Sequence, residues 1–200
     1  MSRKIDREQR RQELANALWN VILKEGMAAV SIRSVAKEAG VVPGSLRYVF
    51  PTRAELIMYS ARLMIDKVTD RIRTITPPGS AREYALAVIA ELLPLDDTRR
   101  AEFDINLSLA AEARTFPELR EILREASDGL LYVCRRAVCG VRGLPENSAD
   151  SDIELQAHTL HSLIDGASFR IFQQDPSEGT SWAMQMIEAE LERIAAISDV

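Results

Sequence analysis

Two hundred residues, 46% hydrophobic and 28% charged with a net charge of −5, are enough to bury a core of their own and have the composition of a globular protein in water. No stretch approaches the roughly 20 apolar residues that cross a bilayer, and the opening MSRKIDREQRRQ lacks the apolar run of a secretion signal, so the expectation is a cytoplasmic protein. The charge is lopsided: residues 1–55 carry ten Lys/Arg against six Asp/Glu (+4), while the remainder carries 15 against 24 (−9), a basic head on an acidic body that suits a phosphate-bearing partner at one end.

Helical periodicity runs through the whole chain and no segment alternates as a strand would. A first helix is expected over residues 8–25, with Leu14, Leu18, Val21 and Ile22 as its apolar stripe, Ala17 beside it and Gly26 as its stop. Ser31 is placed to cap a second helix whose inner face is Ile32, Val35, Ala36 and Ala39, ended by Gly40. Pro43 suits the first turn of a short third helix with Leu46 and Phe50 inward. Thr52-Arg53-Ala54-Glu55 reads as a capping box opening a long fourth helix to about Ile75, lined by Ile57, Ala61, Met64 and Val68.

After the break at Thr76-Pro77-Pro78-Gly79, a second capping box, Ser80 to Glu83, opens a fifth helix to about Leu93. A sixth is expected over 99–114 with Phe103, Leu107 and Ala110 inward, and a seventh from Pro117 to about Val141. Cys134 and Cys139 fall five apart on that helix, so their side chains diverge and read as buried thiols, with neither a disulfide nor a metal role. A Gly/Pro/Asn/Ser loop spans 140–151. Helices over 152–173 and 177–197, split at Asp175-Pro176, complete an all-α chain of about nine helices, a three-helix head and a larger helical body.

The most informative stretch is SIRSVAKEAGVVPGSLRYVF, residues 31–50. Two short helices separated by Gly40-Val41-Val42 form a helix-turn-helix, which presents the outer face of its second helix to the DNA major groove. That face is Ser45, Arg47 and Tyr48, and Arg47 can make the bidentate guanine contact. Gly44 lets the backbone approach closely. Arg33 and Arg53, in the first turns of flanking helices, can reach phosphates, where the helix N-termini add positive potential. A tight helical hairpin with no DNA role would share the pattern. No P-loop, GxGxxG, HExxH or GxSxG occurs and both histidines lie on one helix, so catalysis is not expected.

From about Arg10 to Met64 the chain resembles the DNA-binding domain of the TetR family. The resemblance rests on Gly26, Ser31, Val35-Ala36, Ala39-Gly40-Val41, Pro43-Gly44-Ser45-Leu46, Phe50 and Pro51-Thr52-Arg53-Ala54-Glu55-Leu56, in order and at the family's spacing. It implies a DNA-binding head at 1–55, a connecting helix at 52–75, and a ligand-binding and dimerisation body at 56–200. It implies DNA contacts from Ser31, Arg33, Val42, Pro43, Gly44, Ser45, Arg47, Tyr48, Thr52 and Arg53. Val49 stands where the family often has a phosphate-gripping Tyr or His, and Arg47 where it often has Tyr, a change expected to shift base preference toward guanine.

The segment 94–120 and Asp165-Gly166 are similar to the BetI-like branch, whose choline ligand is not carried over. The same resemblance implies a homodimer through the last two helices, here via Leu160, Leu163, Ile164, Ala167 and Ile171, then Met184, Ile187 and Leu191. A ligand pocket is expected among helices four to eight, and the few charges at inward positions favour a small, largely apolar effector. The candidate linings are Met64, Leu86, Ile89, Phe103, Leu107, Phe116, Tyr132 and Phe169, with His161 as a polar handle. Each also reads as plain core. Glu154, His158, His161 and Asp165 share one helical face, but one helix does not enclose an ion and no metal or cofactor is expected. The reading is a repressor released from a palindromic double-stranded operator by its effector. An activator, or a member of the same fold that acts through protein partners, remains an alternative, for which Val49 leaves room.

Overall fold

The computed structural model describes residues 2–76, 79–148, 150–175 and 177–197. Among them it holds nine α-helices and no strand: α1 (Ser2–Glu25), α2 (Ile32–Glu38), α3 (Pro43–Val49), α4 (Arg53–Thr74), α5 (Ala81–Leu92), α6 (Asp97–Glu112), α7 (Pro117–Arg142), α8 (Ser151–Gln173) and α9 (Ser181–Ala195). A 3₁₀ turn at Met27–Ala29 links α1 to α2. No helix is long and apolar enough to cross a membrane among the described residues.

Local chemistry sets most boundaries. Ser31 and Ser34 form a reciprocal cap on α2, the Ser31 hydroxyl accepting from Ser34 N at 3.0 Å and Ser34 Oγ accepting from Ser31 N at 2.9 Å. Thr52 Oγ1 accepts from Glu55 N at 3.1 Å at the head of α4, and Ser80 and Glu83 form the full box at the head of α5. Asp150 caps α8 through Asp152 N and Ile153 N. Gly26 and Gly40 take φ of +80° and +67°, left-handed turns that a side chain would strain. Gly140, expected to open a loop, lies inside α7, which runs on to Arg142 before Gly143 turns at φ +67°.

The chain divides into two compact units. The first comprises residues up to Lys67 together with Asp104–Arg124. Its core joins Leu14, Leu18, Val21 and Ile22 of α1 to Val35, Ala36, Leu46 and Phe50 of the helix-turn-helix, Leu56, Ile57 and Met64 of α4, and Ile105, Leu109, Leu119 and Ile122 of α6 and α7. Arg11 lies 4.2 Å from the ring centroid of Tyr59 and 5.2 Å from that of Phe50, and the Tyr59 hydroxyl donates to Glu8 at 2.6 Å. These contacts pin the first turns of α1 onto the α3–α4 junction.

The second unit comprises Val68–Phe103 and the chain from Glu125 on. Its core holds Ala85, Ile89 and Leu93, then Cys134 and Val138, and the inner stripes of α8 and α9. A charge network ties its polar edge: Arg71 donates twice to Glu102, at 2.7 Å each, and to Glu91 at 3.1 Å, while Arg99 bonds Asp96 and the Ala90 carbonyl. The carboxylates around Arg71 hold its guanidinium above even the usual arginine range.

Candidate nucleic-acid interface and body residues

The helix-turn-helix is built from the inside out. Val35, Ala36, Leu46 and Phe50 are buried, which fixes α2 against α3 and leaves the other side of each helix in solvent. Val41 N donates to the Ala36 carbonyl at 2.9 Å, closing the turn after α2. Pro43 starts α3 where a missing N–H costs nothing. On the outer side Val42 is 66% and Tyr48 86% exposed. Ser31, Arg33, Pro43, Gly44, Ser45, Arg47 and Thr52 are exposed around them.

Nine of the ten residues expected to meet DNA are thus brought to solvent on one helical hairpin and its flanks, and Arg53 is the departure. Its side chain is 38% exposed, with Nε on the Val30 carbonyl and a terminal nitrogen on Glu112, both at 2.8 Å. Val49 is part-buried against the first core, and its isopropyl group has no donor to offer a phosphate. Lys24 bonds Glu38 at 2.7 Å across α1 and α2, and the ammonium holds that carboxyl below its ordinary range.

Leu160, Ile164, Ala167 and Ile171 of α8 and Ile187 and Leu191 of α9, expected at a partner face, are buried in this chain's own second core, with Leu163 and Met184 part-buried against it. The outward face of α8 instead carries Leu155 (66% exposed), Thr159, Ser162, Gly166 and Phe169 (48%). Their i, i+4, i+7, i+11, i+14 spacing is a second stripe that a helical wheel of residues 152–173 would have exposed.

One expectation for the body needs correction, the inner face of α6. Ala110 is exposed and Phe103 and Leu107 are half-buried, while Ile105, Leu109 and Ala113 face the core. Both stripes have helical spacing, and packing against Leu119 and Ile122 selects the second.

The expected effector linings fall in both units. Met64, Leu107 and Phe116 belong to the first unit, Met64 buried and Phe116 part-buried in its core. The other six belong to the second. There Ile89 is core and Leu86 packs against it, Phe103 tilts on Phe172 at 5.6 Å, and Tyr132 and Phe169 stand half-exposed, the Tyr132 hydroxyl on Glu146 at 3.0 Å. His161 is part-buried with Nε2 3.4 Å from Asp165. Glu154 leaves that face to pair with Arg135 at 2.6 Å, and among the described residues no three His, Cys, Asp or Glu side chains are grouped to hold an ion.

Sequence reasoning missed Glu112 and the Val30 carbonyl as partners of Arg53. The contact spans 59 residues and leaves no local pattern.

Comparison with known proteins agrees with this geometry. Residues 14–58 match the profile described as bacterial regulatory proteins, tetR family, and residues 81–196 match that of the BetI-type transcriptional repressor C-terminal domain. The chain is 34% identical over 169 residues to the HTH-type transcriptional regulator PksA of Bacillus subtilis (strain 168), covering 83% of this chain and 80% of that protein. A transcriptional regulator from Rhodococcus sp. RHA1 superposes with a TM-score of 0.79 at 25% identity, over 92% of this chain and 95% of its own. One from Saccharomonospora viridis, crystallised with choline, superposes with a TM-score of 0.75 at 20% identity, over 92% and 96%.

Proposed function

The chain belongs to the TetR family of DNA-binding transcriptional regulators and is not an enzyme, and from that premise we propose that it is a homodimeric repressor, released from a palindromic operator by a small, largely apolar effector. The observation that carries the DNA part is the recognition face of α3. Tyr48, Arg47 and Val42 stand in solvent on a hairpin whose other side is wholly packed. An isolated arginine there can pair bidentately with guanine, and the exposed Tyr48 and Val42 offer flat and apolar surface to base edges and thymine methyls. The +4 charge of residues 1–55 supplies the phosphate attraction, and the −9 of the remainder keeps the rest of the chain off the duplex.

A ligand acts on DNA binding only through a difference in affinity between two states, by about 1–3 kcal/mol in typical cases. The choline-bound regulator has this fold and holds a small molecule. Which side chains would line an effector site in this chain rests on ligand titration. The dimer rests on family membership, on the demand of a two-fold operator for two recognition helices about 34–36 Å apart or a multiple of that, and on the outward stripe of α8.

Fluorescence anisotropy tests the core of the proposal. The duplex is the DNA upstream of the chain's own gene, against a scrambled duplex, at about physiological salt. Binding about a thousandfold or more tighter to the native fragment is expected. Arg47→Ala should then weaken the operator by about tenfold to a hundredfold and relax discrimination at one base pair. Equal weak binding to both duplexes, repeated with sites selected from a random pool, would reject DNA reading by this head.

A further inference from the structure

Arg53 is the first residue of α4 and follows Thr52, at the edge of the face proposed to meet DNA. Its guanidinium already has two partners. Nε donates to the carbonyl of Val30, just ahead of the Ser31 cap of α2, and a terminal nitrogen donates to Oε1 of Glu112, the last residue of α6. One cation therefore joins the entrance of α2, the first turn of α4 and the end of α6, all within the first unit.

Ordinary surface ion pairs contribute little because two flexible side chains must be ordered to make them. Here the main-chain carbonyl gives the guanidinium a second acceptor, and the Glu112 side chain is only 25% exposed. Arginine has five N–H donors in a rigid fork. Two are spent in this arrangement, which leaves three N–H groups for another acceptor. A phosphate approaching them meets the Glu112 carboxylate on the same cation and is repelled by it.

We propose that Glu112 competes with an operator phosphate for Arg53, so that the end of α6 sets the operator affinity of the helix-turn-helix. In the free protein the carboxylate occupies the cation. On DNA the guanidinium keeps Val30 and exchanges Glu112 for phosphate. Glu112 lies outside the segment 14–58 that carries the DNA-binding domain, and it acts on DNA only through Arg53. The inference rests on the DNA-binding reading above.

The test is a double-mutant cycle, read by anisotropy on a duplex selected from a random pool and on its scrambled counterpart. Glu112→Gln keeps the shape and removes the charge. It is expected to tighten operator binding about fivefold to tenfold, toward the lower end of usual coupling factors, with a gain that shrinks as salt rises. In an Arg53→Ala background the same change is expected to do nothing. Glu112→Asp, which draws the carboxylate back by one methylene, guards against a variant that fails to fold and should give a smaller gain. Unchanged or weaker binding by variants that melt like the wild type overturns the proposal, as does an equal gain without Arg53. A wild-type chain that binds operator and scramble alike overturns the DNA reading and this inference together. Wild-type specificity with an indifferent Glu112 overturns the inference alone.

Discussion

Two glycines of the head separate folding from recognition at the scale of single residues. Gly40 sits at φ +67°, where a Cβ is strained whatever the space around it. Gly40→Ala is therefore expected to lower stability by about 1 kcal/mol or more, seen as a lower melting temperature. Gly44 lies in the first turn of α3 with nothing within 4 Å of an added Cβ. Gly44→Ala should melt at or above the wild-type temperature, since alanine is the better helix former. The added methyl would project from the exposed face, so operator affinity should fall by about tenfold, the scale of one lost base contact. A Gly44→Ala chain with wild-type affinity would remove the close approach of α3 to DNA. The two cysteines give an independent reading of the second core. Both are buried, and burial pushes the Cys134 thiol up to about 12, so neither should react with a thiol reagent at neutral pH until the chain unfolds. Rapid labelling of the native protein would contradict that packing.

Helix caps are where local sequence and structure agree best, because a cap needs only residues within one turn of each other. Ser31, Thr52-Glu55 and Ser80-Glu83 were legible for that reason, as were Pro43 and Gly26. Asp96 was not singled out, although it caps α6: Oδ1 accepts from Arg99 N at 2.8 Å, and that bond, with the Arg99 guanidinium, holds the carboxyl below its ordinary 3.8. A folded value below the unfolded one means stability present above about pH 4 and lost as acid protonates the folded carboxyl. Asp96→Ala should cost about 1 kcal/mol at neutral pH, and the gap from wild type should close as urea melts are repeated below pH 4. A gap independent of pH would leave Asp96 without a charged capping role. The inner face of α6 was misread for a different reason. It carries two stripes of helical spacing, and only the neighbouring helices decide which is core. Phe103-Leu107-Ala110 lost to Ile105-Leu109-Ala113 because Leu119 and Ile122 pack on the second set. The bond from Arg53 to Glu112 lies beyond any periodicity argument, since it is made by two side chains that meet only after the first unit has closed.

For the whole molecule the open matter is which surface a second copy would cover. The inner stripe of α8 is spent: Leu160, Ile164 and Ile171 are fully buried against this chain's own helices. A charge placed there has no water and no partner, so Ile164→Asp should unfold the second unit, at a cost of several kcal/mol. The outer stripe has the opposite properties. Leu155 and Phe169 put large apolar area into solvent, and Thr159, Ser162 and Gly166 between them are small enough to let another helix approach closely. An isologous two-fold contact would set this face against itself, so a single substitution acts twice at each interface. Phe169→Glu should therefore leave the melting of the monomer intact while converting a dimer to monomers in sedimentation analysis. It should also cost operator affinity, because two half-sites would have to be bound as separate events rather than as one. If Phe169→Glu stays dimeric, the partner covers another surface of the body. If it unfolds, Phe169 is holding the second unit together rather than meeting a partner. Retained folding with lost dimerisation is the one outcome that ties the exposed face of α8 to the symmetry of the operator.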